Sequence, residues 1–144
     1  MNESRRPLEI LIVEDDEADV RLILEAFKDS FMSHHVSVVE DGVEALAFVL
    51  KKEPYLDAAR PDVIILDLNM PRKDGREFLA DIKKEPGLKD VPVIVFTTSN
   101  APDDRRAAYV LQANCFITKP VEWSEYIAVV KSLEKIWTQG GMPS

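Results

Sequence analysis

Blocks of apolar residues alternate along this chain between two spacings, which predict five strands that are each followed by a helix. Short apolar runs predict strands at positions 10–13, 35–40, 62–67, 91–99 and 115–120. Apolar residues three and four positions apart predict helices at 17–30, 41–52, 76–87, 102–113 and 122–137. The third strand is a continuous apolar run, Val63-Ile64-Ile65-Leu66, as is typical of strands buried on both faces. We therefore predict an α/β fold, a five-stranded parallel sheet with helices on both faces.

The repeating strand–helix pattern occupies residues 8–137 and contains no linker, so we expect one domain. The ends, residues 1–7 and 138–144, lack the pattern and are predicted to be flexible. The sequence predicts no separate output domain.

Polar side chains follow the apolar runs where the predicted strands end. They are Glu14, Asp15 and Asp16 after the first strand, Asp67 after the third, Thr97 and Thr98 after the fourth, and Lys119 after the fifth. Because ligands of parallel sheets bind beyond the carboxyl ends of the strands, we expect these groups to converge. Several carboxylates together need a cation, and all-oxygen ligands favour Mg²⁺. Asp67, compensated by Mg²⁺ and Lys119, is a candidate nucleophile toward phosphorus.

The set Glu14-Asp15, Asp67, Thr97 and Lys119-Pro120, in this order, resembles the receiver domain of two-component response regulators across residues 8–137. The stretches "DDEADVRLI", "LDLNMPRKDGREFL" and "VFTTS" are similar to stand-alone, single-domain regulators that serve bacterial phytochromes. The resemblance implies the flavodoxin-like (βα)5 receiver fold.

The resemblance also implies roles for individual residues. Asp67 would be the phosphoacceptor, and Lys119 would contact the phosphoryl group. The metal ligands for Mg²⁺ would be Glu14, Asp15, Asp67 and the backbone carbonyl of Asn69. Thr97 and Phe116 would form a conformational switch, and Pro120 would follow a cis peptide bond. Thr98 departs from the family, which often has a smaller residue there, so the dephosphorylation rate stays open.

The resemblance also implies a function: the chain would be a phosphoacceptor rather than a conventional enzyme. It would catalyse only its own phosphorylation and its own dephosphorylation. A histidine kinase, with a bacteriophytochrome as the candidate, would supply the phosphoryl group, and the output would be a protein–protein contact. Apolar residues on the last two helices, among them Tyr109, Val110 and Trp123, predict a homodimer through the fourth helix, fifth strand and last helix.

The composition limits the partners and the cellular compartment that we expect for this protein. A formal net charge of -8 argues against a nucleic-acid partner and an anionic membrane surface. The single Cys115 cannot form an internal disulfide, and no apolar run approaches the roughly 20 residues of a membrane span. The start of the chain does not resemble a signal peptide. We therefore predict a cytoplasmic protein.

Three other functions are alternatives for this sequence, and two groups of residues have a simpler interpretation. A Mg²⁺-dependent phosphatase with an aspartyl phosphate commonly needs a second acid where Asn69 stands. A receiver-like binding module without phosphotransfer gains no support, since the expected residues are present. A flavodoxin-like electron carrier would need a phosphate-cradling loop, and none is visible. Asp16 is interpreted partly as the cap of the first helix, and His34 and His35 as loop residues before the second strand.

Overall fold

The computed structural model describes residues 7–28, 33–70, 72–97, 102–110, 113, 115–119 and 122–138. Five strands alternate with five helices along these residues. The strands are β1 (Leu8–Val13), β2 (His34–Val39), β3 (Val63–Leu66), β4 (Val93–Thr97) and β5 (Cys115–Thr118). The helices are α1 (Glu17–Lys28), α2 (Gly42–Val49), α3 (Gly75–Lys83), α4 (Pro102–Val110) and α5 (Trp123–Thr138).

The strands form one parallel sheet in the order β2-β1-β3-β4-β5. The chain winds outward from β1 in both directions, so the order reverses between β1 and β3. At such a reversal the carboxyl ends of the neighbouring strands border a crevice that suits a ligand. The prediction of a flavodoxin-like five-stranded parallel sheet is confirmed.

Successive side chains of each strand point to opposite faces of the sheet, and helices cover both faces. On one face, Ile10 and Ile12 of β1 pack in a cluster with Phe27 of α1 and Tyr126 of α5. On the other face, the cluster contains Leu11 and Val13 of β1, Phe48 of α2 and Phe78 of α3. Because both faces of the sheet are covered, the central strands read as continuous apolar runs. Each fully buried aliphatic side chain contributes about 1.5–3 kcal/mol to stability.

Two helices end earlier than the apolar spacing predicts. The spacing continues α2 to Lys52, whereas the helix ends at Val49 and Leu50 caps it. Lys51 then takes a φ of 56°, in the left-handed region. A residue in that region cannot continue a right-handed helix. Likewise, α3 ends at Lys83, before the predicted stop at 86–87.

The interpretation of His34 and His35 as loop residues is wrong, whereas the predicted strand 35–40 already includes His35. Both lie in β2, where they pair with Leu8 and Glu9 of β1. The Nδ1 atom of His35 lies 2.9 Å from the carboxylate of Glu9. The ring of His34 packs against that of Phe27, with centroids 5.2 Å apart. These partners, Glu9 of β1 and Phe27 of α1, hold the two polar side chains in an edge strand, and local hydropathy does not reveal them.

Among the described residues, no helix combines the length and apolar character that crossing a bilayer requires. The predictions of flexible ends fall on residues outside the described ranges, except Pro7 and Thr138. Thr138 is the last residue of α5.

Candidate functional site

The acidic group at the carboxyl edge of the sheet follows from the register of β1 and β3. Val13 pairs with Leu66, so the next residue of each strand, Glu14 or Asp67, reaches the edge at the same level. The backbone N–H of Asp67 donates to the carbonyl of Val13 at 3.0 Å and extends the ladder beyond the paired residues. Asp67 and Glu14 are 6% and 3% exposed, so the fold buries both acids at the ends of its central strands.

Three carboxylates face one common position at this edge. Glu14, Asp15 and Asp67 each contribute an oxygen, and these oxygens lie within 4.8 Å of one another. Asp15 is exposed, whereas the other two are buried, so the group opens to solvent beside Asp15. Carboxylate oxygens are the ligands of hard divalent cations. The donor set therefore fits a divalent metal ion.

The protonation behaviour of Glu14 supports that fit. Burial raises the pKa of the Glu14 carboxyl to about 7; the charge of Asp67 adds to the rise, and the hydrogen bond from Lys119 opposes it. A raised carboxyl pKa means that the surrounding protein compensates the negative charge incompletely. A divalent cation would supply the missing positive charge.

Lys119, the residue directly after β5, brings a single ammonium group to the acids. Its Nζ lies 2.7 Å from Glu14 Oε1, 2.6 Å from Asp19 Oδ2 and 3.5 Å from Asp67 Oδ2. The side chain is only 6% exposed. Burial lowers the pKa of Lys119, but the hydrogen bonds to Asp19 and Glu14 outweigh burial and hold it above its ordinary value. Lys119 is therefore a fixed cation shared by three carboxylates.

Asp19 is a site residue that the sequence analysis missed. It lies in the first turn of α1, where acidic residues are common because they compensate the helix dipole. That ordinary explanation concealed the contact with Lys119, which is 100 residues away in the chain. The capping interpretation of Asp16 is confirmed, since its Oδ1 accepts from the N–H groups of Ala18 at 2.9 Å and Asp19 at 3.2 Å. By capping α1, Asp16 fixes the turn from which Asp19 reaches Lys119.

Asn69 connects the acidic group to β4. Its backbone N–H donates to Asp67 Oδ1 at 3.2 Å, and its side-chain amide donates to the hydroxyl of Thr97 at 3.3 Å. Thr97 is fully buried at the end of β4. The predicted site residues of the third and fourth strands therefore lie in one hydrogen-bonded chain, Asp67–Asn69–Thr97.

Phe116 lies in β5, next to α4. Its half-buried ring packs against a small apolar cluster that contains Leu68 and Val95. The guanidinium carbon of Arg105, an exposed residue of α4, lies 4.7 Å from the ring centroid. This separation is within the range of a cation–π contact. Thr98 and Pro120 lie outside the described residues, and so does the predicted cis peptide bond before Pro120.

Comparisons with known proteins identify relatives of the whole arrangement. The sequence profile of the response regulator receiver domain matches residues 10–131. Response regulator Rcp1 of Synechocystis sp. is 44% identical over 138 residues, which cover 96% of this chain and 94% of that protein.

Solved structures give the same result. The phosphorylated cyanobacterial phytochrome response regulator RcpA is 46% identical, with a TM-score of 0.90, over 96% of this chain and all of that one. The Mn²⁺-bound form of Rcp1 is 44% identical, with a TM-score of 0.84, over 91% of this chain and 94% of that one.

Proposed function

The chain belongs to the response regulator receiver family, and from this membership we propose that Asp67 accepts a phosphoryl group from a phosphohistidine of a histidine kinase. As a receiver, the chain is a signalling phosphoacceptor rather than a conventional enzyme. One observation carries the assignment to Asp67. Among the described residues, Asp67 is the clustered acid that lies 3.5 Å from the ammonium of Lys119 and is also joined through Asn69 to the hydroxyl of Thr97.

The residues around Asp67 prepare its carboxylate for transfer. An Asp67 oxygen attacks phosphorus as the bond from phosphorus to the imidazole nitrogen breaks, and the bonding electron pair leaves with the imidazole. Lys119 offsets the negative charge of the incoming phosphoryl oxygens. The backbone N–H of Asn69 holds one Asp67 oxygen and so orients the carboxylate. The buried side of the site limits the access of water to the acyl phosphate.

We propose Mg²⁺ as the physiological cation, held by Glu14, Asp15, Asp67 and the backbone carbonyl of Asn69. When bound, the cation neutralises charge that develops on the phosphoryl oxygens during transfer. Support comes from the all-oxygen donor set and from the raised pKa of Glu14, about 7. The relative Rcp1 has been solved with Mn²⁺. Mn²⁺ and Mg²⁺ share a preference for oxygen ligands.

Thr97 and Phe116 are proposed as the switch that reports phosphorylation. The Thr97 hydroxyl accepts from the Asn69 side chain. A phosphoryl oxygen on Asp67 would accept a hydrogen bond from this hydroxyl and draw Thr97 toward Asp67. Phe116 is half-buried beside α4, and its ring would turn inward when Thr97 moves. The change would shift an existing equilibrium of the α4–β5 surface.

The partners follow from the relatives and the exposed surface. RcpA is a phytochrome response regulator, so we propose a phytochrome-type histidine kinase as the phosphoryl donor here. We also propose a homodimer through α4, β5 and α5, because Tyr109 and Val110 of α4 are 83% and 68% exposed and Trp123 of α5 is 45% exposed. The output would be this receiver surface itself, in the cytoplasm. Light scattering that shows monomers in both phosphorylation states would exclude the dimer.

Phosphorylation by acetyl phosphate, followed by intact mass spectrometry, tests the function. Wild type with Mg²⁺ should gain one phosphoryl group, whereas wild type with EDTA and Asp67→Asn with Mg²⁺ should gain none. Asp90→Asn, an exposed acid before β4 at the opposite edge, is the matched control and should behave as wild type. If wild type fails with acetyl phosphate and with histidine kinases although it binds Mg²⁺, a partner-binding module replaces this proposal.

A further inference from the structure

Arg72 has an unusual backbone conformation close to the site. Its φ is 62°, in the left-handed region that non-glycine residues seldom adopt. A strained conformation of this kind persists only where the surroundings hold it in place. Here the guanidinium reaches two carboxylates of α2 and its cap: Nε lies 2.8 Å from Asp41 Oδ2, and Nη2 lies 3.4 Å from Glu44 Oε2. The side chain thus accounts for the strained backbone.

The group that receives Arg72 is itself firmly held. Asp41 is buried and caps α2, where its Oδ1 accepts from the N–H of Glu44 at 2.8 Å. The carboxylate of Glu44 also accepts a hydrogen bond from the hydroxyl of Tyr55. Each carboxylate that meets Arg72 therefore has a second partner, and α2 offers a rigid anchor.

A backbone contact joins the same two segments beside Arg72. The N–H of Gly42, the first residue of α2, donates to the carbonyl of Lys73 at 2.8 Å. A Cβ atom at position 42 would lie 2.2 Å from that oxygen, so only glycine permits this approach. The start of α2 and the loop that leads to α3 are thus joined by a side-chain pair and by a close backbone hydrogen bond.

The other part of this loop carries the proposed site. The N–H of Gly75 donates to the carbonyl of Leu68 at 3.0 Å and closes the loop on itself. Asp67 and Asn69, the proposed phosphoacceptor and metal ligand, lie at the start of the closed loop. A force that fixes Arg72 therefore also restricts the positions of Asp67 and Asn69.

We propose that Arg72 is a positioning residue for the metal site: by fastening residues 72–74, which precede α3, to α2, it preorganises Asp67 and Asn69 and strengthens Mg²⁺ binding. The inference deepens the proposed function and depends on its assignment of the metal ligands. Loops fixed in advance lose less conformational freedom when they bind, so affinity rises without any new contact to the ligand. Arg72 does not touch the metal in this account.

Calorimetric titration with Mg²⁺ alone tests the proposal, because it shows whether Arg72→Gly binds Mg²⁺ more weakly or more tightly than wild type. Arg72→Gly removes a positive charge near a cation site, so simple electrostatics predicts tighter Mg²⁺ binding. Glycine also adopts the left-handed conformation without strain, which keeps the variant folded. The proposal predicts the opposite, a dissociation constant about tenfold larger, because a loop released from α2 must be ordered again when Mg²⁺ binds.

A matched variant and a second readout separate positioning from general effects. Lys73→Ala removes the same charge one residue away, but Lys73 pairs with Asp81 of α3 rather than with α2. It should not weaken Mg²⁺ binding. In metal-free protein, hydrogen exchange of the Asn69 and Gly75 amides should be faster in Arg72→Gly and unchanged in Lys73→Ala.

A double-mutant comparison completes the test. Asp41→Asn keeps the cap of α2 but removes the charged partner of Arg72. If both residues act through this one pair, the double variant should lose no more Mg²⁺ affinity than whichever single variant binds Mg²⁺ more weakly. If Arg72→Gly binds Mg²⁺ as tightly as wild type or more tightly, the proposal is overturned. The proposed function is unaffected in that case, because the wild-type protein still binds Mg²⁺. A wild type that binds no Mg²⁺ would overturn both.

Discussion

The ammonium nitrogen of Lys119 lies 2.6 Å from Asp19 but 3.5 Å from Asp67. The cation that should meet a phosphoryl group on Asp67 is thus held in part by an acid of α1 that is not among the three clustered carboxylates. A phosphoryl group must compete with Asp19 for this cation. Asp19 therefore influences how strongly the site holds an anion on Asp67.

Neutralising Asp19 should strengthen the binding of beryllofluoride, an analogue of the phosphoryl group, at Asp67. Asp19→Asn frees Lys119 from one charge-assisted hydrogen bond, which is worth about 1.5 kcal/mol, and we expect about tenfold tighter binding. Asp16→Asn is the matched control, because it removes equal charge nearby while an asparagine still caps α1. Equal effects of the two variants in a fluorine NMR titration would show that Asp19 acts only through its general charge.

Gly75→Ala should disturb the loop that carries Asp67. A Cβ atom there would lie 2.4 Å from the carbonyl oxygen of Asp67 and 2.7 Å from Leu68 Cα, so the backbone must move. We expect a loss of about 1–3 kcal/mol in the free energy of unfolding, as for other overpacked positions. Gly87→Ala, where nothing lies within 4 Å, should change it by less than about 0.5 kcal/mol. Urea denaturation measures both, and equal stabilities would refute the close approach.

The pair between Asp41 and Arg72 should make stability depend on pH at the acidic end. Burial raises the pKa of Asp41, but the hydrogen bonds from Arg72 and the Glu44 N–H outweigh it and hold the pKa below 3.8. Folded protein therefore binds this proton less readily than unfolded protein. The contribution is complete above the unfolded pKa and is lost as pH falls through the folded one.

Thermal unfolding of wild type and Asp41→Asn across this pH window measures the contribution. At neutral pH the variant should be less stable by about 1 kcal/mol, because only the ionised acid pairs with Arg72. The difference in melting temperature should shrink below about pH 4, as Asp41 protonates in the unfolded chain and then in the folded protein. A difference that stays constant down to the acid limit would contradict the assigned cause.

Mg²⁺ should raise the melting temperature, since a cation that binds only the folded state stabilises it. At a Mg²⁺ concentration about 100 times the dissociation constant, the free energy of unfolding should rise by about 2.7 kcal/mol. EDTA should reverse it, and Asp15→Asn should lose most of it, because Asp15 supplies one of the three clustered oxygens. If Asp15→Asn keeps the full Mg²⁺-dependent shift in differential scanning fluorimetry, the metal lies elsewhere.

The fold is predictable from the sequence where burial dictates residue type. The run Val63–Leu66 is apolar throughout because helices cover both faces of the sheet, and it ends where Asp67 reaches the open edge. The placement of Glu14 near Asp67 follows from the pairing of β1 with β3. The strand–helix alternation leaves the strand order open, and the resemblance to the receiver fold implies this pairing. Local pattern and strand-end chemistry thus point to the same edge of the sheet.

The features that escaped prediction depend on contacts distant in the chain. Asp19 has an ordinary role at a helix start, and only the fold brings it to Lys119. His34 is polar, yet it lies in an edge strand with its ring against that of Phe27. The left-handed backbone of Arg72 and its pairing with Asp41 have no local signal, because Arg carries no preference for that conformation.

The central claim is that Asp67 itself carries the phosphoryl group, and chemical trapping locates the group most directly. Borohydride reduces an aspartyl phosphate to homoserine, which peptide mass spectrometry can place at one position. After incubation with acetyl phosphate and Mg²⁺, the account predicts homoserine at position 67 and unmodified aspartate at positions 15, 16 and 19. Homoserine at another acid, or a phosphorylated protein that yields no homoserine, would contradict it.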